Sequence, residues 1–497
     1  MTTAGEVTLR IRTSIAIAIV ALILLGGSAL RLYGLTFQSL WLDELFSMVF
    51  SRSDLPFKDI VRVYLDDVHP LGYPFLLHLW LLLFGDTDLA GRSLSAALGI
   101  LGIAVMLLTG RRLISTEAGI YAALLTALNA YHIAYSQEAR MYTLVFMLAA
   151  LSYGALVSLL HQPGWRTAVS YGLVTAAAAH VHYYALVMLL GQVVAAATVL
   201  IARRARWRDW LPLLAGSAIV GLAVLPWLGA VRRVLAMDEY WPTPPKPWFF
   251  IDYFHAYFGR SLILSLLFGV LLAAVPFLVS RRPGVDRQAG APPPATVAWL
   301  LAASVVVSLA AAFARSVLIV PMLQPRFTIV FLPAILLLIA IALARLRPRP
   351  LRALVAAGLT VLSLAGLLRS GYYTEARKEQ WREAVDSMLT DPRFDVRTDA
   401  CLAVLAPGFQ YYVDQRSAAL RIGEATVEAL QGMVDDGPAP PVLWLLVARN
   451  QDPAEEFRRL QRQHYLRTDQ FVFLKTAVER WELRAQPEPD GGGEATR

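Results

Sequence analysis

The chain has 497 residues, 57% of them hydrophobic and only 16% charged, against roughly 25% charged in an ordinary soluble domain. That balance excludes a disordered chain, and apolar residues gathered in long runs argue against a plain soluble enzyme. The net charge is +8, and the single cysteine, Cys401, excludes an intrachain disulfide and a CxxC metal site.

A spanning helix needs about 20 apolar residues. The first candidate runs from Ile15 to Leu32 behind Arg10 and Arg12. No small-residue cleavage site follows it, so it reads as a retained anchor rather than a signal peptide. Further spans centre near residues 102, 124, 150, 175, 193, 219, 270, 303, 335 and 360. The expected fold is therefore an α-helical polytopic membrane protein with about 11 transmembrane helices. The segment from Pro70 to Phe84 is apolar but too short to span, and begins with Pro70, Gly72 and Pro74. It reads as an interfacial helix in the first outer loop, lying on the membrane surface.

Lysine and arginine set the orientation. With the N-terminus inside, the inner segments hold 16 basic and 4 acidic residues, and the outer loops before residue 369 hold 12 of each. Flipping the chain would reverse this bias. The N-terminus is expected in the cytoplasm and the C-terminal part outside. The basic excess is thus a topology signal beside the spans, not a nucleic-acid surface.

After Arg369 the polarity becomes mixed. Glu375 to Met388 reads as an amphipathic helix and Asp452 to His464 as another. Cys401 to Ala406 and Val442 to Val447 read as buried strands, and Phe471 to Leu474 and Val478 to Leu483 as closing strands. The organisation expected is a membrane domain over 1–369, a small extracytoplasmic α/β domain over 370–485, and a disordered Pro, Gly and Glu tail over 486–497.

Polar residues beside a bilayer are costly, so their clustering points to function. The loop after the first helix contains Trp41-Leu42-Asp43-Glu44, and an acidic pair there suits a general base or a divalent cation. Arg140 and Arg326 fall at outer helix ends. His180 and His182, two apart, would share a metal only at an unwound helix end; with Asp43 and Glu44 they are the candidate metal ligands. Gln137, Tyr142, His182 and Tyr183 are candidate substrate contacts, although Tyr and Trp also anchor at membrane interfaces by default. The proline-rich stretch Asp238 to Trp248 is a candidate lid or a plain connector.

Several segments resemble one family in order along the chain. They are the Asp43-Glu44 pair just after the first span, Asp66-Asp67-Val68-His69-Pro70-Leu71-Gly72, Gly91-Arg92-Ser93-Leu94-Ser95, Ser136-Gln137-Glu138-Ala139-Arg140-Met141-Tyr142, His180-Val181-His182-Tyr183-Tyr184, Gln324-Pro325-Arg326-Phe327 and Lys378-Glu379-Gln380-Trp381-Arg382-Glu383. Together they resemble the protein O-mannosyltransferases and their bacterial relatives, the family 39 and aminoarabinose-transferase-like glycosyltransferases of the C superfamily. That resemblance implies transfer of a sugar, with inversion, from a polyprenyl-phosphate-linked donor to an acceptor hydroxyl at the outer face of a bacterial plasma membrane. It makes Asp43 the base and Arg140, Arg326 and Arg92 candidates for the donor phosphate, which a planar guanidinium suits. It likewise makes His69 a candidate for contact with phosphate or sugar, and Glu138 a residue that would hold Arg140 or face the sugar. The acceptor would be a lipid, a protein or a glycan, and the cofactor, if any, a divalent cation. A competing reading is a lipid or sugar transporter or flippase, which would place ionisable residues near the bilayer midplane. Here the middles of the spans are nearly free of charge. An assembly role for the outer domain is a third reading.

Overall fold

The computed structural model describes residues 4–236, 243–280, 292–417, 419–435, 438–448 and 451–484, with side chains from Thr13. Residues 238–242 of the candidate lid and the 486–497 tail lie outside the described residues. The chain divides into two compact units: Met1–Leu35 with Phe50–Tyr372, and Thr36–Val49 with Tyr373–Arg497.

The first unit is all helix. Helix α1 (Ala4–Leu32) is followed in the chain by α2 (Leu42–Val49), which belongs to the second unit. Then come α3 (Phe57–Asp66), α4 (Gly72–Phe84), α5 (Asp88–Leu113), α6 (Thr116–Leu128), α7 (Ala130–Ser136), α8 (Tyr142–His161) and α9 (Trp165–Val181). They are followed by α10 (Tyr184–Ala202), α11 (Trp207–Val224), α12 (Leu228–Leu235), α13 (Phe249–Tyr257), α14 (Leu262–Ser280), α15 (Pro294–Leu318), α16 (Leu332–Arg345) and α17 (Arg349–Arg369). Among the described residues, nine helices or joined helices are long and apolar enough to cross a membrane. Each of the eleven expected spans coincides with a helix. The two that fall short of the other nine are α6, with 13 residues, and α9, with 17. The reason at α6 is Asn129. Its backbone turns to an extended conformation and interrupts the helix, its Oδ1 accepts from the His132 amide at 2.8 Å, and its Nδ2 donates to Tyr257 O at 2.9 Å. An interrupted helix at this depth needs such partners, because hydrocarbon offers none.

Helix α4 is an apolar helix of 13 residues, too short to span. Helix α16 is buried along nearly its whole length, while α1, α11 and α17 leave most of their surface exposed. Their outward residues are large and apolar: Leu22, Leu25, Leu222, Leu354 and Leu368 are each more than half exposed. An apolar exterior around a buried helix is what lipid as solvent selects. Loop ends expected on one face also meet one another. Arg352 pairs with Glu117, Arg203 donates to Leu160 O, and Arg345 donates to Leu278 O.

The second unit carries a five-stranded sheet in the order β2-β1-β3-β5-β4. Its elements are α18 (Trp381–Leu389), β1 (Ala400–Ala403), α19 (Ala406–Asp414), β2 (Gly423–Glu424), α20 (Val427–Asp435), β3 (Val442–Ala448), α21 (Glu455–His464), β4 (Tyr465–Phe473) and β5 (Thr476–Leu483). Strand β3 is buried at all seven residues, as a central strand covered on both faces must be. It runs parallel to β1 and antiparallel to β5. The parallel pair needs a crossover, which the segment containing α19, β2 and α20 supplies. Several boundaries differ from the sequence expectation, three of them for a visible physical reason. Strand β1 stops at Ala403 because Leu405 is left-handed (φ 65°) and Ala406-Pro407 opens α19. Strand β4 begins six residues earlier than expected, at Tyr465; as an edge strand it tolerates Arg467, Thr468, Asp469 and Gln470, which hide it from a search for apolar runs. Helix α18 begins at Trp381, since the amides of Arg377 and Lys378 donate to Gln38 Oε1 instead of to helical carbonyls.

Helices α10 and α15 cross at Gly191, where an added Cβ would lie 2.2 Å from both Ser304 O and Ser308 Oγ. Gly191→Ala should therefore destabilise the folded chain by about 1–3 kcal/mol, read as a lower thermal midpoint of the detergent-solubilised protein.

Candidate functional site

The first unit gathers a cationic site where the interrupted helices end. Helix α7 stops at Ser136, and the turn Gln137 to Met141 carries the chain into α8. Arg140, 3% exposed, points one guanidinium NH2 group at Nε2 of His69, 3.0 Å away. A guanidinium only donates, so Nε2 accepts. The proton of a neutral His69 then sits on Nδ1, which donates to Asp67 Oδ2 at 2.9 Å. The His69 amide donates to the same oxygen at 3.2 Å. Burial alone would raise the Asp67 pKa. The hydrogen bond from His69, the Val68 amide and the Arg140 charge outweigh it and hold the carboxyl below its ordinary range. Asp67, His69 and Arg140 thus form a chain of three. Tyr64 of α3 is buried within range of the Arg140 and Asp67 charges; its burial keeps the phenol protonated by raising its pKa.

His182 occupies the short connection between α9 and α10. Its Nδ1 accepts from the Tyr184 amide at 3.1 Å, which leaves the Nε2–H of the neutral ring as its donor. Burial, then the charges of His69, Arg140 and Arg326, push its pKa down to about 3. His182 therefore lies within electrostatic reach of the other three. Arg326 caps the turn before α16, with its guanidinium 5.4 Å from the Phe327 ring. Glu138 and Arg326 both reach the Tyr135 hydroxyl through their charges. A run of ring contacts joins Tyr135 to Tyr142 at 4.5 Å, Tyr142 to His182 at 6.3 Å and His182 to Phe327 at 5.7 Å. A cleft with about 520 Å³ of empty volume opens beside His69, His182, Tyr183, Tyr184 and Phe327. The Tyr183 hydroxyl is buried and makes no hydrogen bond among the described residues. Arg315 is the arginine that lines the cleft; Arg140, bonded to His69, and Arg326, beside Phe327, stand next to lining residues. Guanidinium groups, imidazoles and phenols in this neighbourhood suit an anion carrying polar hydroxyls.

Three candidate residues are engaged elsewhere. Arg92 is 1% exposed and donates to Leu35 O at 3.0 Å. Gln137 donates through Nε2 to Arg31 O at 3.1 Å and Tyr33 O at 2.7 Å, closing the C-terminal end of α1. His180 Nε2 lies 3.0 Å from Ala223 O. Among the described residues no group of three His, Cys, Asp or Glu side chains is placed to hold a metal ion.

In the second unit, the acidic pair opens α2. Glu44 is fully buried; its Oε2 accepts from Lys378 Nζ at 2.9 Å and from the Trp41 amide at 3.3 Å. Asp43 is partly exposed, and its carbonyl accepts from Ser47 Oγ at 3.0 Å. The pair is therefore unequal, with one carboxylate fixed inside and the other facing outward.

Sequence reasoning missed Asp67 as a partner of His69, although Asp-x-His in a turn is a spacing at which a carboxylate reaches an imidazole. It also missed Lys378, Arg382 and Glu383 as holders of the 36–49 segment, for which no local signal exists.

Comparison with known proteins follows this geometry. Residues 68–229, about a third of the chain, match the family model described as dolichyl-phosphate-mannose-protein mannosyltransferase. No curated protein sequence matches the chain. Among solved structures, ArnT from Cupriavidus metallidurans in the apo state is similar with a TM-score of 0.63 at 14% identity, over 94% of this chain and 98% of that one. The same protein bound to undecaprenyl phosphate gives 0.58 at 14% identity with the same coverage. The apo oligosaccharyltransferase of Archaeoglobus fulgidus gives 0.55 at 12% identity, over 91% of this chain and 69% of that one. The chain shares the fold of these membrane glycosyltransferases.

The lowered Asp67 pKa fixes a pH dependence. A depressed carboxylate contributes its stability above its unfolded pKa and loses it as pH falls through the folded one. Asp67→Asn should therefore cost about 1 kcal/mol at pH 7, and the gap in thermal midpoint between wild type and variant should close as pH falls below about 4.

Proposed function

We propose that this protein is a membrane glycosyltransferase. It moves a sugar from a polyprenyl-phosphate-linked donor to an acceptor hydroxyl on the extracytoplasmic face of a bacterial plasma membrane. The observation that carries the reading is the convergence of Arg140, Arg326, His69 and His182 beside a cleft, in a chain whose fold is that of ArnT and the oligosaccharyltransferases. ArnT has been solved bound to undecaprenyl phosphate, and a site of this character suits the same headgroup chemistry here.

In this reading the acceptor oxygen attacks the anomeric carbon as the bond from that carbon to the phosphate oxygen breaks. Asp43 takes the acceptor's proton as the new C–O bond forms. Attack opposite the leaving group inverts the anomeric configuration. The departing polyprenyl phosphate is stable as an anion, so it requires cations rather than a proton. Arg140 and Arg326 supply them, and His69, locked by Asp67, holds Arg140 in place. Tyr142, Tyr183 and His182 offer ring faces and donors to the sugar, with Glu138 beside them. Charge gathered at helix ends rather than mid-span favours transfer chemistry over the transporter reading.

Mass spectrometry of lipid extracts tests this directly. A deletion strain should accumulate a polyprenyl-phosphate sugar, and Asp43→Asn or Arg140→Met should fail to clear it although both proteins insert normally. Clearance by Asp43→Asn would refute the base assignment. The sidedness has its own test. Protease added to intact spheroplasts should cleave within residues 373–484, and cleavage confined to inverted vesicles would refute the orientation.

A further inference from the structure

The acidic segment after α1 is stitched to the second unit by a set of bonds that converge on one short run of sequence. Gln38 Oε1 accepts from the amides of Arg377 at 2.9 Å and Lys378 at 3.1 Å. Arg382 donates to Thr36 O and Phe37 O, both at 3.0 Å. Ser39 Oγ accepts from the Arg382 amide at 3.2 Å and donates to Glu383. The Leu40 amide donates to the Tyr412 hydroxyl at 2.7 Å. An added Cβ at Gly408 would lie 2.7 Å from the buried Trp381 ring and 3.2 Å from Leu45 of α2, so packing is close on this side as well. At the end of the set, Lys378 Nζ meets the buried Glu44 carboxylate at 2.9 Å, one residue from Asp43.

We propose that Lys378 is a positioning residue for Asp43, acting through Glu44, and that Glu44 itself touches neither donor nor acceptor. The Lys378 ammonium and the Trp41 amide share Glu44 Oε2, so they fix the first turn of α2. Asp43 precedes Glu44 in that turn and is aimed by it. Removing the ammonium leaves a buried carboxylate that has lost a cation, and the turn moves to re-solvate it. A displacement of this size at a reacting group is costly, since proximity and orientation carry much of a transfer rate. This role rests on the transferase reading above.

The test uses full-length protein in the deletion strain, with two readouts. The first is clearance of the accumulated polyprenyl-phosphate sugar. The second is binding of undecaprenyl phosphate by the purified protein. Lys378→Met should slow clearance at least tenfold and leave undecaprenyl phosphate binding within twofold of wild type. Lys378→Arg should restore most of the rate, because a guanidinium reaches the same carboxylate. Glu44→Gln combined with Lys378→Met should clear faster than Lys378→Met alone, since the buried charge is gone. Normal clearance by Lys378→Met, beside a dead Asp43→Asn, overturns the positioning role and leaves the transferase reading intact. A double variant as slow as Asp43→Asn shows that Glu44 reacts with substrate and overturns the role too. Absence of any accumulated donor in the deletion strain removes the transferase reading and this role with it.

Discussion

The break in the chain at Asn129 is the constraint on which the first unit depends. An interrupted helix leaves carbonyls without amides, and hydrocarbon cannot satisfy them. Arg31, fully buried, answers for α6: it donates to Thr126 O at 2.9 Å and Ala127 O at 3.1 Å, and its second amino group also lies 2.8 Å from His132 Nδ1. The debt runs the other way as well. Helix α1 ends at Leu32, and Gln137, just beyond α7, takes the carbonyls of Arg31 and Tyr33. Each broken end is closed by a side chain from the other. Arg140, three residues past Gln137, inherits its position from this reciprocal bond.

This explains why one contiguous run serves two ends. In Ser136-Gln137-Glu138-Ala139-Arg140-Met141-Tyr142, Ser136 donates back to His132 O at 2.7 Å and Gln137 closes α1. Arg140 turns to His69, and Tyr142 to the rings of Tyr135 and His182. A turn between two helices rotates successive side chains to different neighbours, so residues adjacent in sequence separate into scaffold and site. Chemical type alone does not sort them. Gln137 and Arg92 look as able to bind a substrate as Arg140 does, and in the structure both are tied to backbone carbonyls.

The spans were legible because lipid leaves the sequence few options. Twenty apolar residues between charged ends have one stable outcome, and α5, α8, α10, α14, α15 and α17 fall where hydropathy puts them. The same rule finds β3, an unbroken apolar run, and fails on β4, whose edge position lets polar residues in. Arg140 and Arg326 were legible as charges at helix ends, and His69 as part of the Asp67-Val68-His69-Pro70 run. Asp67 was not, because its role is a bond to His69 rather than a property of its own position. The docking of Thr36–Val49 onto the second unit was least legible. It rests on side chain to backbone bonds between residues more than 330 positions apart, such as Arg382 to Thr36.

The inequality of Asp43 and Glu44 follows from that docking. Successive residues of a helix point about 100° apart, and the buried side of α2 runs through Glu44, Leu45, Ser47 and Met48, which leaves Asp43 at its margin. Burying Glu44 requires a cation, and Lys378 stands in the segment that already holds Gln38 and Ser39. A carboxylate pair that looks in sequence like a metal site or an acid and base couple becomes one anchor and one partly exposed group. Docking one residue out of register would put Asp43 in the buried place of Glu44 and Glu44 in that of Leu45, with neither carboxylate left at the margin. The bonds from Gln38 through Leu40 fix that register, which makes the sequence Lys378 to Glu383 as much a part of the acidic motif as the motif itself.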